Sequence, residues 1–329
     1  MTDFNYVTKL EYRKGDRFCP IPEHEKALPT VVAEPFVQAV DHFGDLEGVH
    51  FNRDGSILYF CNCVEDKVMA VDMNTKEVST VLEVNNYIPN GYIAAVKVHK
   101  DGRLFVAYLT LPTLCDGGIF YCNPDGTGFY DIPIAKGIAA DDMCFDSEGN
   151  IYVTDMCGVP TNRKGTIEWI SKDFTVRKTV MGNMATPNGL TLSTDEKMMW
   201  VTDTACGELI RTELMPDKMG AAPLGQGLVY RTTGYMGPDS IEIDNDDNVY
   251  GAFYFQGRFM IFNKFGFPIG QIVMPGREEG SHLRTTHAII RPGTKEIYMC
   301  TNSDTGEGAW IFKAEAYAGV NEKAFFLQD

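Results

Sequence analysis

Six positions recur along the chain at intervals of 47, 47, 47, 51 and 47 residues: Glu47, Ala94, Asp141, Asn188, Asp239 and Thr286. Three are carboxylates and one is an amide. Each opens a run of alternating apolar residues, such as Val49 and Phe51, Val96 and Val98, Met143 and Phe145, or Leu190 and Leu192. A polar residue at one fixed place in an apolar repeat is a break that packing does not require. If the six positions share one level, the carboxylates repel by roughly 4 kcal/mol per pair at 4 Å and an effective dielectric near 20. A bound cation or raised pKa values must relieve that repulsion. Carboxylate and amide oxygens, with no Cys or His at the level, favour Ca²⁺ ahead of Mg²⁺ or Mn²⁺. Zn²⁺ stays open because His287 follows Thr286. The plain alternative is that these residues cap strand ends and bind water.

The elements that must position them follow from the same repeat. The segments EGVHFNRDGSILYFCN, AAVKVHKDGRLFVAYL, DDMCFDSEGNIYVTDM, NGLTLSTDEKMMWVTD, DSIEIDNDDNVYGAFY and THAIIRPGTKEIYMCT each read as strand, tight polar turn, strand. The turns fall at Asp54-Gly55, Asp101-Gly102, Glu148-Gly149, Asp195-Glu196, Asp246-Asp247 and Gly293-Thr294. Further strand-like stretches lie between the hairpins, so each unit has room for four strands. A period of 40–50 residues of this kind marks a propeller. The expected fold is all-β: a six-bladed β-propeller with four-stranded blades, whose first strands line a central channel. Residues 41–329 form it as a single domain, and residues 1–40, with TVVAEPFVQAV from Thr30, complete the last blade.

Composition excludes several classes. A net charge of −16 argues against nucleic acid, whose binding depends on Lys and Arg. Residues 1–15 carry Asp3, Lys9, Glu11, Arg13 and Lys14 without an apolar run, and no stretch approaches the roughly 18 apolar residues of a membrane helix. A cytoplasmic protein is expected, with no membrane partner. The nine cysteines, Cys61 and Cys63 among them, read as free thiols packed as small hydrophobes.

The sequence resembles the senescence marker protein/gluconolactonase/regucalcin family, and within it the bacterial drug-responsive lactonases. The resemblance rests on EGVHF at Glu47, DDMCFDSEGNIYVTD from Asp141, PNGLTLSTDEKMMWVTD from Pro187, GPDSIEID from Gly237, QGRFMIFNKFGFPIGQIVMPG from Gln256 and LRTTH from Leu283. It implies a catalytic Ca²⁺ on Glu47, Asn188 and Asp239, with Ser240 adjacent, and Asp141 with Asp239 as the acid–base pair. Asp141 is expected to bind the cation or a water on it. Some of these lactonases hold a second, structural cation; the corresponding stretch here, LTLPTLCDGGIF from Leu109, is mostly apolar.

The expected activity is hydrolysis of a small-molecule lactone in the channel. His287, Tyr87 and Phe253 are the candidate substrate contacts, and the rim aromatics favour an uncharged, partly hydrophobic substrate. A serine nucleophile at Ser240 is disfavoured, since no G-x-S-x-G elbow surrounds it. A non-catalytic calcium-binding propeller, and a cyclic-diketone hydrolase or isomerase on the same metal, remain as alternatives.

Overall fold

The computed structural model describes residues 20–234, 236–303 and 306–327; the charged residues 1–15 lie outside the described part. Six sheets radiate from one axis. Blade 1 consists of Leu46–Phe51, Ile57–Asn62, Lys67–Asp72 and Val78–Glu83, and blade 2 of Gly91–Val98, Leu104–Thr110, Gly117–Cys122 and Tyr130–Asp131. Blade 3 consists of Ala140–Phe145, Ile151–Asp155, Gly165–Ile170 and Arg177–Met184, and blade 4 of Pro187–Leu192, Met198–Asp203, Glu208–Leu214 and Ala221–Arg231. Blade 5 runs Pro238–Ile243, Val249–Phe253, Arg258–Phe262 and Pro268–Val273, and blade 6 Arg284–Ile290, Glu296–Asn302 and Ala309–Glu315. The first strand of each blade packs against the first strands of its two neighbours, which closes the ring.

The turn chemistry explains why these segments fold back on themselves. The second turn residue has positive φ at Gly55, Gly102, Gly149, Glu196 and Asp247 alike. Glycine reaches that region without strain, whereas a residue with a Cβ needs compensation. Glu196 and Asp247 obtain it from the preceding blade: Ser147 N donates to Glu196 Oε1 at 2.6 Å, and Thr194 N to Asp247 Oδ1 at 2.7 Å. The turns therefore also stitch blade 3 to blade 4 and blade 4 to blade 5.

The apolar core lies between blades rather than at the axis, in successive layers that each join two or more neighbouring blades. Each layer is small enough to be filled by side chains, so the ring escapes the size limit of a single core. The eight described cysteines are free, and Cys61 and Cys63 lie in the layer between blades 1 and 2.

Both chain ends tie the ring. Glu34–Val40 pairs antiparallel with Ala309–Glu315 as the outermost strand of blade 6. Thr30–Val32 pairs parallel with Pro268–Val273 and adds a fifth strand to blade 5. The preceding short helix Glu23–Lys26 carries a buried Glu25, whose Oε2 lies 2.6 Å from Arg258 Nη2 in an ion pair. Residues 316–327 cross the end of the channel where the first strands reach their turns. There Val320 bridges to Asp244, Asn321 Nδ2 donates to Leu192 O, and Phe325 stacks on His50 at 4.3 Å. Among the described residues no helix is long and apolar enough to cross a membrane.

Candidate active site

All six inner strands slip register near the same level. In blades 3 to 6 the pairing jumps from Ala140 to Met143, Pro187 to Leu190, Pro238 to Ile241 and Thr285 to Ala288. Two inner residues thus oppose one partner residue, which defines a β-bulge. Blades 1 and 2 slip between Glu47 and His50 and between Ile93 and Ala95. A bulge re-aims side chains, and here it repeats at the level that holds Glu47, Asp141, Asn188 and Asp239.

The glycines beside the polar residues let the blades close in. A Cβ on Gly48, whose φ is +54°, would lie 2.1 Å from Ala95 Cα; one on Gly189 would lie 2.5 Å from Ser240 Cα. Blades 1 and 2 thereby approach closely beside Glu47, and blades 4 and 5 beside Asn188. Ser240 Oγ donates to Asn188 Oδ1 at 3.2 Å across the blade 4–5 boundary. Thr202 Oγ1 fixes the same boundary by donating to Asp239 O at 2.6 Å.

Electrostatics register the convergence. Burial pushes the Glu47 carboxyl well above its usual range, and the charges of Asp239, Asp45, Asp141 and Asp142 push it further. Asp141 is pushed up to about 8, first by burial and then by Asp142 and Asp45. Asp239 is raised by burial and by Asp141, with the Asn188 amide opposing through a hydrogen bond. A site that disfavours its own negative charge and presents carboxylate, amide and hydroxyl oxygens suits a hard divalent cation. Glu47, Asp141, Asn188 and Asp239 could hold one, with Ser240 bonded to Asn188.

The remaining level positions do other work. Ala94 offers no ligand, and with Leu109, Ala139, Tyr92, Leu114, Met156 and Cys157 it forms an apolar cluster on the blade 2–3 side. Thr286 is buried and donates to Leu46 O at 2.6 Å.

The three candidate substrate contacts are not brought together. His287 is fully buried, and its Nε2 lies 3.0 Å from Lys97 Nζ, beneath the ligand level. Phe253 is 1% exposed and packs with Tyr230 and the Arg258 guanidinium in the blade 5 core, leaving no face for a substrate. Tyr87 stacks on Phe129 at 4.5 Å, beside the outermost strand of blade 2.

Asp45 is a site residue that the repeat did not mark. Its Oδ2 accepts from Tyr92 Oη at 3.2 Å and its Oδ1 from Asn302 Nδ2 at 3.1 Å. Its charge raises Glu47, Asp141 and Asp239 together. Strand alternation two residues before Glu47 was the available signal. Tyr254 and Arg284 also belong to this region: Arg284 Nη1 donates to Tyr254 Oη at 3.3 Å, and the Tyr254 hydroxyl responds to Asp45, Asp239 and Glu47.

Asp203, Cys206 and Glu208 form a tight group of possible ligands, with atoms within 4.8 Å of one another. Their valences are already used. Asp203 accepts from Ala185 N and Thr186 N, Cys206 from Arg163, and Glu208 from Arg231.

Residues 116–302 match the family model described as SMP-30/gluconolactonase/LRE-like region. A protein named lactonase drp35 from Staphylococcus haemolyticus is 44% identical over 97% of this chain and 98% of its own length. Its namesake from Staphylococcus saprophyticus is 42% identical over 96% and 97%. Among solved structures, a calcium-binding protein, regucalcin, from Agrobacterium tumefaciens superposes with a TM-score of 0.69 at 13% identity, covering 89% of this chain and 98% of that one. A luciferin-regenerating enzyme gives 0.68 at 16% identity, over 88% and 98%. Those two likenesses speak to the propeller fold. On the strength of the staphylococcal relatives and the family match, this chain belongs to the SMP-30/gluconolactonase/LRE-like family.

Proposed function

We propose that the chain is a lactonase, hydrolysing the ring ester of a small lactone at the channel mouth with a divalent cation, Ca²⁺ first among candidates. The observation that carries this reading is that Glu47, Asp141, Asn188 and Asp239 hold equivalent positions on four inner strands, with the charges of Asp141 and Asp239 acting on the buried Glu47 carboxyl. The drp35 relatives, named lactonases, support the same reaction. Bound there, the cation would act as a Lewis acid on the lactone carbonyl.

The protein's own groups divide the rest. Burial raises both the Asp141 and the Asp239 carboxyl above the usual range, and one of the two takes the proton from the attacking water at an Oδ atom. Asn188 and Ser240 hold each other in place and remain neutral. The apolar cluster of Tyr92, Leu114 and Met156 offers a surface for the nonpolar part of the ring.

An acid-release assay against a panel of lactones, with and without EGTA, tests the reading. Turnover that chelator abolishes and Ca²⁺ restores is expected. No turnover on any lactone, with Ca²⁺ still bound, would favour a non-catalytic calcium-binding propeller.

A further inference from the structure

Beneath the ligand level the channel contains a second polar layer that the proposed mechanism does not use. Lys97 enters it from blade 2, the blade whose ligand-level residue is Ala94. The side chain is almost wholly buried, which is rare for lysine unless paired. Its Nζ lies 3.3 Å from Asp142 Oδ1 of blade 3 and 3.0 Å from His287 Nε2 of blade 6. One ammonium therefore links three blades across the channel. Burial and the neighbouring Lys97 hold both His287 and His50 well below the usual imidazole range, so His287 is neutral and accepts the Lys97 proton. A cavity of about 30 Å³ lies beside it, lined by His50, Thr191, Glu242 and Phe325, with Phe325 from the C-terminal segment sealing it below.

Asp142 is the second residue of the blade 3 bulge, next to Asp141. Its Oδ1 accepts from Met143 N at 2.8 Å, and its backbone N donates to Thr154 Oγ1 at 2.9 Å. These bonds tie the bulge to its own blade. From other blades, the Leu190 backbone N–H of blade 4 reaches the Asp142 carboxylate, and the Lys97 ammonium of blade 2 grips it across the channel.

We propose that Lys97 is a positioning residue: by gripping Asp142 from below, it locks the bulge that turns Asp141 toward the ligand level. The proposal rests on the cation-site reading above. It makes Lys97 more than a neighbouring positive charge, and the two roles act with opposite sign on cation affinity. Removing a nearby positive charge tightens cation binding, whereas releasing the bulge loosens it.

The test uses the full chain with K97M and K97M/D142N, read by terbium luminescence with Ca²⁺ displacement, by kcat and KM on the best lactone, and by thermal melting. K97M is expected to weaken cation binding at least about tenfold and to lower kcat by about 10²-fold, as for a misplacement near 1 Å, with KM little changed. Tighter binding overturns the proposal. K97M also strands the Asp142 charge and lowers the melting temperature, so the double variant serves as the folded control. In it the melting temperature recovers while affinity and kcat stay low; recovery of all three would make Lys97 purely structural and overturn the proposal. Wild-type protein that binds neither terbium nor Ca²⁺ would remove the cation reading instead. Lys97 would then be judged on kcat, where an unchanged value in the double variant overturns the inference.

Discussion

Gly189→Ala tests whether the spacing between inner strands sets the site. The new Cβ would meet Ser240 Cα at 2.5 Å and Ile241 N at 2.6 Å. Carbon atoms in contact prefer roughly 3.5–4.0 Å, so the strands of blades 4 and 5 must part by about 1 Å. Both obstructing atoms are backbone, and no rotamer change relieves them. Overpacking of this kind costs about 1–3 kcal/mol in stability. The larger effect falls on function, because Asn188 precedes Gly189 while Asp239 and Ser240 lie on the opposing strand. A displacement near 1 Å in such a constellation lowers turnover by about 10²-fold. Gly182→Ala is the control: it lies on the exposed outer strand of blade 3, its Cβ would meet Thr166 Cγ2 at 3.4 Å, and the change should stay within about 0.5 kcal/mol. Thermal melting, Ca²⁺ titration and lactone kinetics on both variants decide the matter. Wild-type kcat/KM and cation affinity in Gly189→Ala would refute the link between strand spacing and site geometry.

Three further outcomes are expected. Asp239→Ala should lose lactone turnover and cation affinity together, whereas Asp141→Asn should keep the cation and lose about 10²–10⁴-fold in kcat if Asp141 is the base; unchanged Asp141→Asn kinetics would pass that role to Asp239. EGTA should abolish activity, with Ca²⁺ restoring it better than Zn²⁺, and circular dichroism should show the apo protein folded but melting lower, by about 2.7 kcal/mol at a hundredfold excess of ligand over Kd. Arg258→Met leaves Glu25 buried without its cation, also taking the guanidinium from Gln256 and Gln271; a loss of about 3–5 kcal/mol in a urea melt is expected, and a loss below 1 would show that the Glu23–Lys26 helix contributes little.

The period and the common polar position of the inner strands were legible because tight turns leave strong local signals and anchor the alignment of every blade. Bulges leave no such mark. Whether Asp142 lies opposite one partner residue or none depends on the neighbouring strand, which local patterning does not contain. Lys97 was hidden for a related reason. In AAVKVHKDGR it occupies the polar phase of an alternating strand, the pattern of a solvated side chain, but that phase faces the channel. His287 was marked by its neighbour Thr286, yet the bulge turns it down to Lys97. Aromatic residues gave the weakest signal, since Phe253 at the end of a strand and Tyr87 in a turn look alike in sequence, although one fills the blade 5 core and the other stacks near an outer edge.

Ring closure and site geometry meet in blade 6. A ring made from an open chain has one sheet that combines both ends, and here Glu34–Val40 is held to Ala309–Glu315 by backbone hydrogen bonds, by the Glu34–Lys313 ion pair and by the packing of Phe36, Val37 and Val40. From the same blade, Asn302 Oδ1 accepts from Leu46 N at 2.8 Å while its Nδ2 donates to Asp45 Oδ1. Thr286 Oγ1 donates to the other side of the same residue, at Leu46 O. Leu46 is thus clamped at both backbone groups, and the residues on either side of it are Asp45 and Glu47. Blade 6 supplies no carboxylate to the ligand level, but its Thr286 and Asn302 hold the strand that does. Loosening the composite sheet would therefore reach Glu47 through Leu46, which places the closure of the fold and the first carboxylate of the proposed site in one hydrogen-bonded unit.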